Sequence, residues 1–187
     1  MNGPASFGIL AVLRMCHQGG RDRLLVGVVV TVVLLTAVRL FCAAKAELLP
    51  EEAYYWTYWK HPALSYYDHP PMVAWVVGLG TKVFGDTEFG VRLGTIALGV
   101  GATGLVFLLG RLWFDRRVAL WAVLLFALLP IFAGTSLFAF PDGPLVFFWL
   151  LTLYAVSKAL HRSGYWWLAG LAFGAALLSK YTAVMLA

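Results

Sequence analysis

The chain has 187 residues, of which 61% are hydrophobic and only 12% are charged. Soluble domains carry about 25% charged residues, and half of that fraction cannot cover a water-exposed surface, so the composition indicates an integral membrane protein. The net charge of +5 is explained by basic residues placed between apolar segments, and we expect no nucleic-acid partner.

Five apolar segments are long enough to cross a membrane, which takes about 17 to 25 residues. They are residues 24–42, 90–110, 118–139, 143–160 and 165–187. The sequence therefore predicts an all-α membrane protein with about five transmembrane helices. Residues 1–23 are predicted to be a tail and residues 24–187 the membrane domain. The first span is expected to stay as a signal anchor because no cleavage site follows it.

Basic and acidic residues are divided between the two ends of these predicted spans. The tail and the second and fourth connections hold eight of the fourteen Lys and Arg, whereas the other connections hold seven of the nine Asp and Glu. Cytoplasmic loops are enriched in Lys and Arg. We therefore predict a cytoplasmic N-terminus and an outer loop at residues 43–89, in a multi-pass protein of the plasma (bacterial inner) membrane.

The outer loop of residues 43–89 is the longest polar and aromatic interval in the chain. Pro50, Glu51 and Glu52 suit the first turn of a helix, where proline and carboxylates are favoured, and the tyrosines and tryptophans after them are typical of a membrane surface. Residues 72–84 are apolar but too short to span. We expect two interfacial helices in this loop, the second of which could also be re-entrant.

Several charged residues are expected at the outer side of the membrane. The carboxylates are Glu51, Glu52, Asp68 and Asp142, and the cations or ligands are His61, His69, Arg39, Arg92 and Lys180. Carboxylates beside cations could deprotonate an acceptor hydroxyl and stabilise a phosphate leaving group. Neighbouring residues do not share a helix face, so one of Glu51 and Glu52 is expected to be catalytic and the other structural.

Other roles remain open for some of these residues. Arg39 and Lys180 could extend their charges to the interface, and Asp142 could simply cap the following helix. A cation as deep as Lys180 costs roughly 2.5 to 3.5 kcal/mol on insertion scales, which favours a polar cavity. The acids and histidines could hold a divalent ion, but none has the i, i+4 His spacing of a helical zinc site, and no metal is assigned. Cys16 and Cys42 are interpreted as small apolar residues.

Five short motifs occur in order along the chain. They are PEEAYYW (50–56), SYYDHPPMVAW (65–75), EFGVRL (88–93), FPDGPLVFFWLL (140–151) and LLSKYTA (177–183). Together they resemble the N-terminal part of the polytopic GT-C glycosyltransferases, the superfamily of protein O-mannosyltransferases and bacterial aminoarabinose transferases. The resemblance covers nearly everything from Leu24 onward and implies a long outer loop with two membrane-surface helices.

The resemblance also implies roles for individual residues. Glu51 stands where the family usually has an aspartate thought to be the general base. Asp68 and His69 match an acidic-basic pair whose basic member lies near the carrier phosphate, and a histidine there must be protonated to act as a cation. Asp142 matches a Pro-Asp motif, and Lys180 lies in a recurrent Ser-Lys-Tyr segment.

The resemblance leads to a predicted site and reaction. Glu51 and Asp142 are the predicted catalytic residues, and the predicted substrate- or phosphate-binding residues are His69, Asp68, Glu52, Arg39 and Lys180. The predicted enzyme is an inverting glycosyltransferase on the outer face of the membrane. It moves a sugar from a polyprenyl-phosphate donor to a lipid, glycan or protein acceptor. Membrane lipids are its other predicted partners.

The chain is shorter than members of that superfamily, which continue through more spans, so we expect it to be a fragment. The alternative is a non-catalytic assembly or lipid-binding subunit, which a stop codon after Ala187 would favour. A transporter is a weaker alternative, because broken helices at mid-membrane depth are not evident in the sequence.

Overall fold

The structure is a computed structural model that describes the backbone of residues 5–186 and the side chains of residues 22–186. Within that part of the chain the secondary structure is helical, without strands, which confirms the predicted all-α class. The helices are α1 (Ala5–Lys45), α2 (Pro50–Lys60), α3 (Met72–Phe84), α4 (Glu88–Trp113), α5 (Arg116–Leu128), α6 (Pro130–Thr135), α7 (Asp142–Ala159) and α8 (Trp166–Ser179), with short 3₁₀ helices at Ser163–Tyr165 and Tyr181–Leu186.

Two of the described helices are long and apolar enough to cross a membrane. They are the Asp22–Lys45 part of α1 and the whole of α4, Glu88–Trp113. The predicted number of five spans stays a prediction. The tail predicted at residues 1–23 continues as helix from Ala5, and its side chains up to residue 21, Cys16 among them, lie outside the described residues.

The segment predicted as a third span, residues 118–139, is divided into α5 and α6. Leu129 has extended backbone angles (φ −65°, ψ 126°) and Pro130 begins α6. A proline lacks an N–H donor and pushes the residue before it out of the α region, which ends α5 at Leu128. The last predicted span is also divided, because α8 ends at Ser179 and the backbone of Lys180 is extended.

The two short helices predicted for the loop are present as α2 and α3. α2 begins at Pro50 with Glu51 and Glu52 in its first turn. α3 is largely buried against α4, and the two helices approach so closely that a Cβ atom on Gly80 would lie 2.1 Å from the carbonyl oxygen of Gly90. The position of α2 and α3 at the membrane surface stays a prediction.

This close approach of α3 and α4 leads to a stability prediction. Replacing Gly80 by alanine should lower the free energy of unfolding by about 1 to 3 kcal/mol, because backbone atoms must move to admit the methyl group. Gly104 is a matched control on α4, since a Cβ atom there meets nothing within 4 Å. Thermal unfolding followed by circular dichroism in detergent measures both variants. Equal midpoints for Gly80→Ala and the unchanged chain would contradict the close packing.

Candidate active site

A buried ion pair joins the start of α2 to α4. Glu52 and Arg92 are 0% and 1% exposed, and the guanidinium donates from Nε to Oε1 at 2.9 Å and from Nη2 to Oε2 at 2.5 Å. The same carboxylate accepts hydrogen bonds from the backbone N–H groups of Leu49 and Ala139, each at 3.0 Å. Every oxygen of Glu52 is therefore occupied by protein donors.

Arg92 also fixes the end of the first helix. Its Nη1 donates to the carbonyl of Ala46 at 2.7 Å, and its Nη2 donates to the carbonyl of Glu47 at 2.8 Å. Four segments therefore meet at one pair of side chains: the end of α1, the start of α2, the first turns of α4 and the connection before α7. Such a pair holds the loop in one place because breaking it would leave a buried charge without a partner.

The two acidic residues of α2 point to different surroundings. Glu52, Tyr55 and Tyr58 recur every three residues and form the buried face of the helix. Glu51 precedes this face by one residue and is exposed, and its side chain makes no hydrogen bond to the described residues. Of the two carboxylates, only that of Glu51 is open to a substrate.

Tyr55 lies within electrostatic reach of three predicted site carboxylates. Burial, together with the charges of Tyr58, Asp142, Asp68 and Glu51, raises the pKa of its hydroxyl to about 12. The ring itself is buried. The fold thus brings together residues from α2, the loop after it and the start of α7 around one neutral phenol.

Asp68 is held at this cluster by two tyrosines of α2. Tyr54 donates its hydroxyl hydrogen to the Asp68 carboxylate at 2.7 Å, and Tyr58 donates in turn to the Tyr54 oxygen at 2.8 Å. The hydrogen bonds with Tyr58 and Asp68 raise the pKa of the Tyr54 hydroxyl above its ordinary value. Tyr54 therefore stays protonated and acts as a donor that fixes the orientation of Asp68.

Asp142 and Lys180 form an ion pair at the meeting point of α7 and α8. The Nζ to Oδ1 distance is 2.9 Å, and both side chains are about one third exposed. Asp142 lies in the first turn of α7, where a carboxylate is favoured, and Lys180 follows the end of α8. Lys180 therefore lies beside the cluster, paired with a carboxylate.

The ring of His69 lies beside the ring of Tyr55. The two ring centroids are 5.8 Å apart. The His69 Nδ1 atom is buried and has no hydrogen-bond partner among the described residues. The backbone here is fixed, because the carbonyl of His69 accepts from the N–H of Tyr66, whose ring stacks on Tyr58 with centroids 3.8 Å apart.

The hydrogen bond of Arg39 lies outside the cluster around Tyr55. Its side chain is 8% exposed, and its Nη2 atom donates to the carbonyl of Ala127, at the end of α5, over 3.4 Å. Among the residues whose side chains are described, no group of three or more His, Cys, Asp or Glu lies close enough to hold a metal ion.

Two important residues of this site, Tyr55 and Arg92, are not among the predicted catalytic or binding residues. The sequence pattern indicates only a membrane-surface aromatic at Tyr55, and at Arg92 only one of several outer cations. The three-residue spacing of Glu52, Tyr55 and Tyr58 does mark one face of α2. It does not reveal which charged residue of another helix covers that face.

Comparison with known proteins identifies the family. The family described as dolichyl-phosphate-mannose-protein mannosyltransferase matches residues 68–187, and the chain belongs to it. This confirms the resemblance found in the sequence motifs. No solved structure matches the chain.

Individual proteins that are similar to this chain include two transferases of the same name. An undecaprenyl phosphate-α-4-amino-4-deoxy-L-arabinose arabinosyl transferase of Pseudomonas aeruginosa is 36% identical over 124 residues, which are 63% of this chain and 23% of that protein. The Erwinia tasmaniensis protein of the same name is 31% identical over 126 residues, covering 63% of this chain and 22% of that protein. An uncharacterised Aquifex aeolicus protein is 37% identical over 114 residues, covering 59% of this chain and 23% of that protein. The matched region is therefore less than a quarter of each relative.

Proposed function

We propose that this chain carries the catalytic loop of a membrane glycosyltransferase. The observation that supports it best is that the carboxylates of Glu51, Asp68 and Asp142 all act electrostatically on Tyr55. Of these, Glu51 is exposed, and the neighbouring His69 has a buried Nδ1 without a partner among the described residues. The proposed donor is a sugar linked to a polyprenyl phosphate, because the Pseudomonas and Erwinia relatives are named as transferases of such a sugar. The acceptor is a hydroxyl of a lipid, glycan or protein.

Glu51 is the proposed general base. Its carboxylate removes the proton from the acceptor hydroxyl, and the acceptor oxygen attacks the anomeric carbon of the sugar. The bond between that carbon and the phosphate oxygen breaks, so polyprenyl phosphate leaves with the bonding electron pair. A single displacement of this kind inverts the configuration at the anomeric carbon.

The other site residues are proposed to position the substrates. Asp142, held by Lys180, supplies a second carboxylate for the acceptor or the sugar hydroxyls. His69 is proposed to lie near the leaving phosphate, where its protonated ring can donate a hydrogen bond. Asp68 orients the loop through Tyr54, and Glu52 acts through its pair with Arg92 and does not touch substrate.

The proposed topology follows from the charges between the apolar segments. The N-terminal tail of residues 1–23 lies in the cytoplasm, residues 24–187 form the membrane domain, and the loop of residues 43–89 faces the outside. The reaction would then take place at the outer face of the plasma membrane. Carrier lipid and acceptor would meet at the surface where α2 and α3 lie.

Transfer of labelled sugar tests this function directly. Membranes that contain the chain are supplied with polyprenyl-phosphate sugars, and label is followed into lipids, glycans and proteins. Label that depends on the presence of the chain supports the glycosyltransferase. Donor binding without any transfer would instead support a non-catalytic assembly or lipid-binding subunit.

A pH dependence is expected if His69 acts as a cation. Transfer by the unchanged chain should fall when the pH is raised from about 5 to about 8, because only a protonated ring acts as a cation. The variant His69→Lys should keep its rate across that interval, because a lysine stays charged there. Initial rates at several pH values measure the effect, with His61→Lys as the control. The same pH profile for the unchanged chain and His69→Lys would exclude this role.

A further inference from the structure

Arg39 is a buried cation that has no carboxylate partner among the residues whose side chains are described. It lies within the apolar α1 helix at 8% exposure, and its hydrogen bond to Ala127, at 3.4 Å, is long. A guanidinium has five N–H donors, so four remain unused among the described residues. By contrast, Arg92 and Lys180 each have an acidic partner. A charge in such a position is costly in a membrane unless an anion accompanies it.

The carbonyl that Arg39 contacts is available because of the break between α5 and α6. In an uninterrupted helix, the Ala127 oxygen would accept from the N–H of residue 131. α5 ends at Leu128 and Pro130 begins a new helix, so this oxygen keeps a free lone pair. A neutral carbonyl helps to orient the guanidinium but does not neutralise its charge.

An apolar groove lies along the part of α1 that precedes Arg39. It has a volume of about 360 Å³ and runs between α1, α4 and α5, with Val29, Val33, Gly104 and Leu120 among its lining residues. Val32, which also lines the groove, lies seven residues or about two turns before Arg39 and therefore on the same face of α1. Val29 and Val33 are half exposed or more. The groove is therefore open along α1, and its Val32 side lies on the face that carries Arg39.

The groove is separate from the candidate active site. A Cβ atom on Gly101 of α4 would meet the ring of Phe147 on α7, whereas one on Gly104 would meet nothing within 4 Å. The groove therefore occupies a face of α4 that α7 leaves uncovered. Asp142 and Lys180 lie at the start of α7 and the end of α8. Binding of a molecule in the groove therefore does not imply a role in catalysis.

We propose that Arg39 and this groove bind an anionic phospholipid of the membrane. The phosphate accepts hydrogen bonds from the free N–H groups of Arg39 and neutralises its charge. One acyl chain lies along the groove, against the valines of α1 and over Gly104. The lipid thereby joins α1 to α4 and α5. This inference does not depend on the proposed transfer reaction.

Native mass spectrometry of the purified chain tests the site. The probes are phosphatidylglycerol and a diacylglycerol with the same acyl chains, which lacks the phosphate. The unchanged chain should retain phosphatidylglycerol about tenfold better than diacylglycerol, and Arg39→Gln should remove that preference. Lys45→Gln, an exposed cation at the end of the same helix, is the control and should keep it. An unchanged preference in Arg39→Gln would overturn the proposal.

A second variant tests the groove. Gly104→Leu places a side chain where the acyl chain would lie and leaves Arg39 in place, and it should lower retention of both lipids. Unchanged retention would overturn the proposal, even if Arg39→Gln could not be purified. Polyprenyl phosphate is the third probe: displacement of phosphatidylglycerol by an equimolar amount of it would assign the site to the carrier and overturn the phospholipid. Because all readouts are binding, a failure of the transfer assay leaves these results interpretable.

Discussion

Replacing Glu51 by glutamine is expected to reduce sugar transfer by about 10²- to 10⁴-fold, the usual contribution of a general base. Glutamine keeps the size and hydrogen-bonding capacity of the side chain but cannot accept the proton of the acceptor hydroxyl. The side chain of Glu51 is exposed and makes no hydrogen bond to the described residues, so the fold should not change. Initial rates with a labelled polyprenyl-phosphate sugar measure the loss.

Glu47→Gln is the matched control for this experiment. Glu47 is also exposed and lies four residues before Glu51, and its contact with Arg92 uses the backbone carbonyl, which the substitution keeps. Its transfer rate should equal that of the unchanged chain. Retained transfer in Glu51→Gln would exclude Glu51 as the base, and equal losses in the two variants would indicate a general effect of loop charge.

Replacing Glu52 by glutamine is expected to have the largest effect on stability. The substitution leaves the Arg92 guanidinium buried and without its carboxylate, which typically costs about 3 to 5 kcal/mol. It also weakens the contacts that hold Leu49 and Ala139. The free energy of unfolding in detergent, from denaturant titration, measures the change. The double variant Glu52→Gln, Arg92→Gln should lose less than the sum of the two single losses.

An exposed ion pair provides the contrast. Lys60 and Asp86 also join α2 to the region before α4, but their side chains are 38% and 46% exposed. Hydrogen bonds from Lys60 and Trp56 hold the pKa of the Asp86 carboxyl below its ordinary value, yet solvent screens the charges of such a pair. Lys60→Gln should therefore change stability far less than Glu52→Gln. Similar losses in the two variants would show that burial does not explain the importance of Glu52.

Some parts of the fold could be predicted because they depend on local chemistry. The length of an apolar segment indicates a membrane helix wherever that segment packs, and the predicted segments 24–42 and 90–110 lie within α1 and α4. The start of α2 at Pro50 follows from the preference of proline for the first helical position. The segment at 118–139 was predicted as one helix, although Pro130 stands within it. The missing N–H of this proline ends α5 in spite of the apolar length of the segment.

The sequence alone determined the membrane character, the all-α class, the family and the set of charged residues available for chemistry, because these follow from composition and local motifs. Tertiary structure decided which carboxylate is buried and which is open. That choice depends on Arg92, forty residues after Glu52 in the chain, and on the N–H of Ala139, which is farther still. The charge partner of a residue depends on how helices pack, and a pattern within one helix contains no information about the helix that covers it.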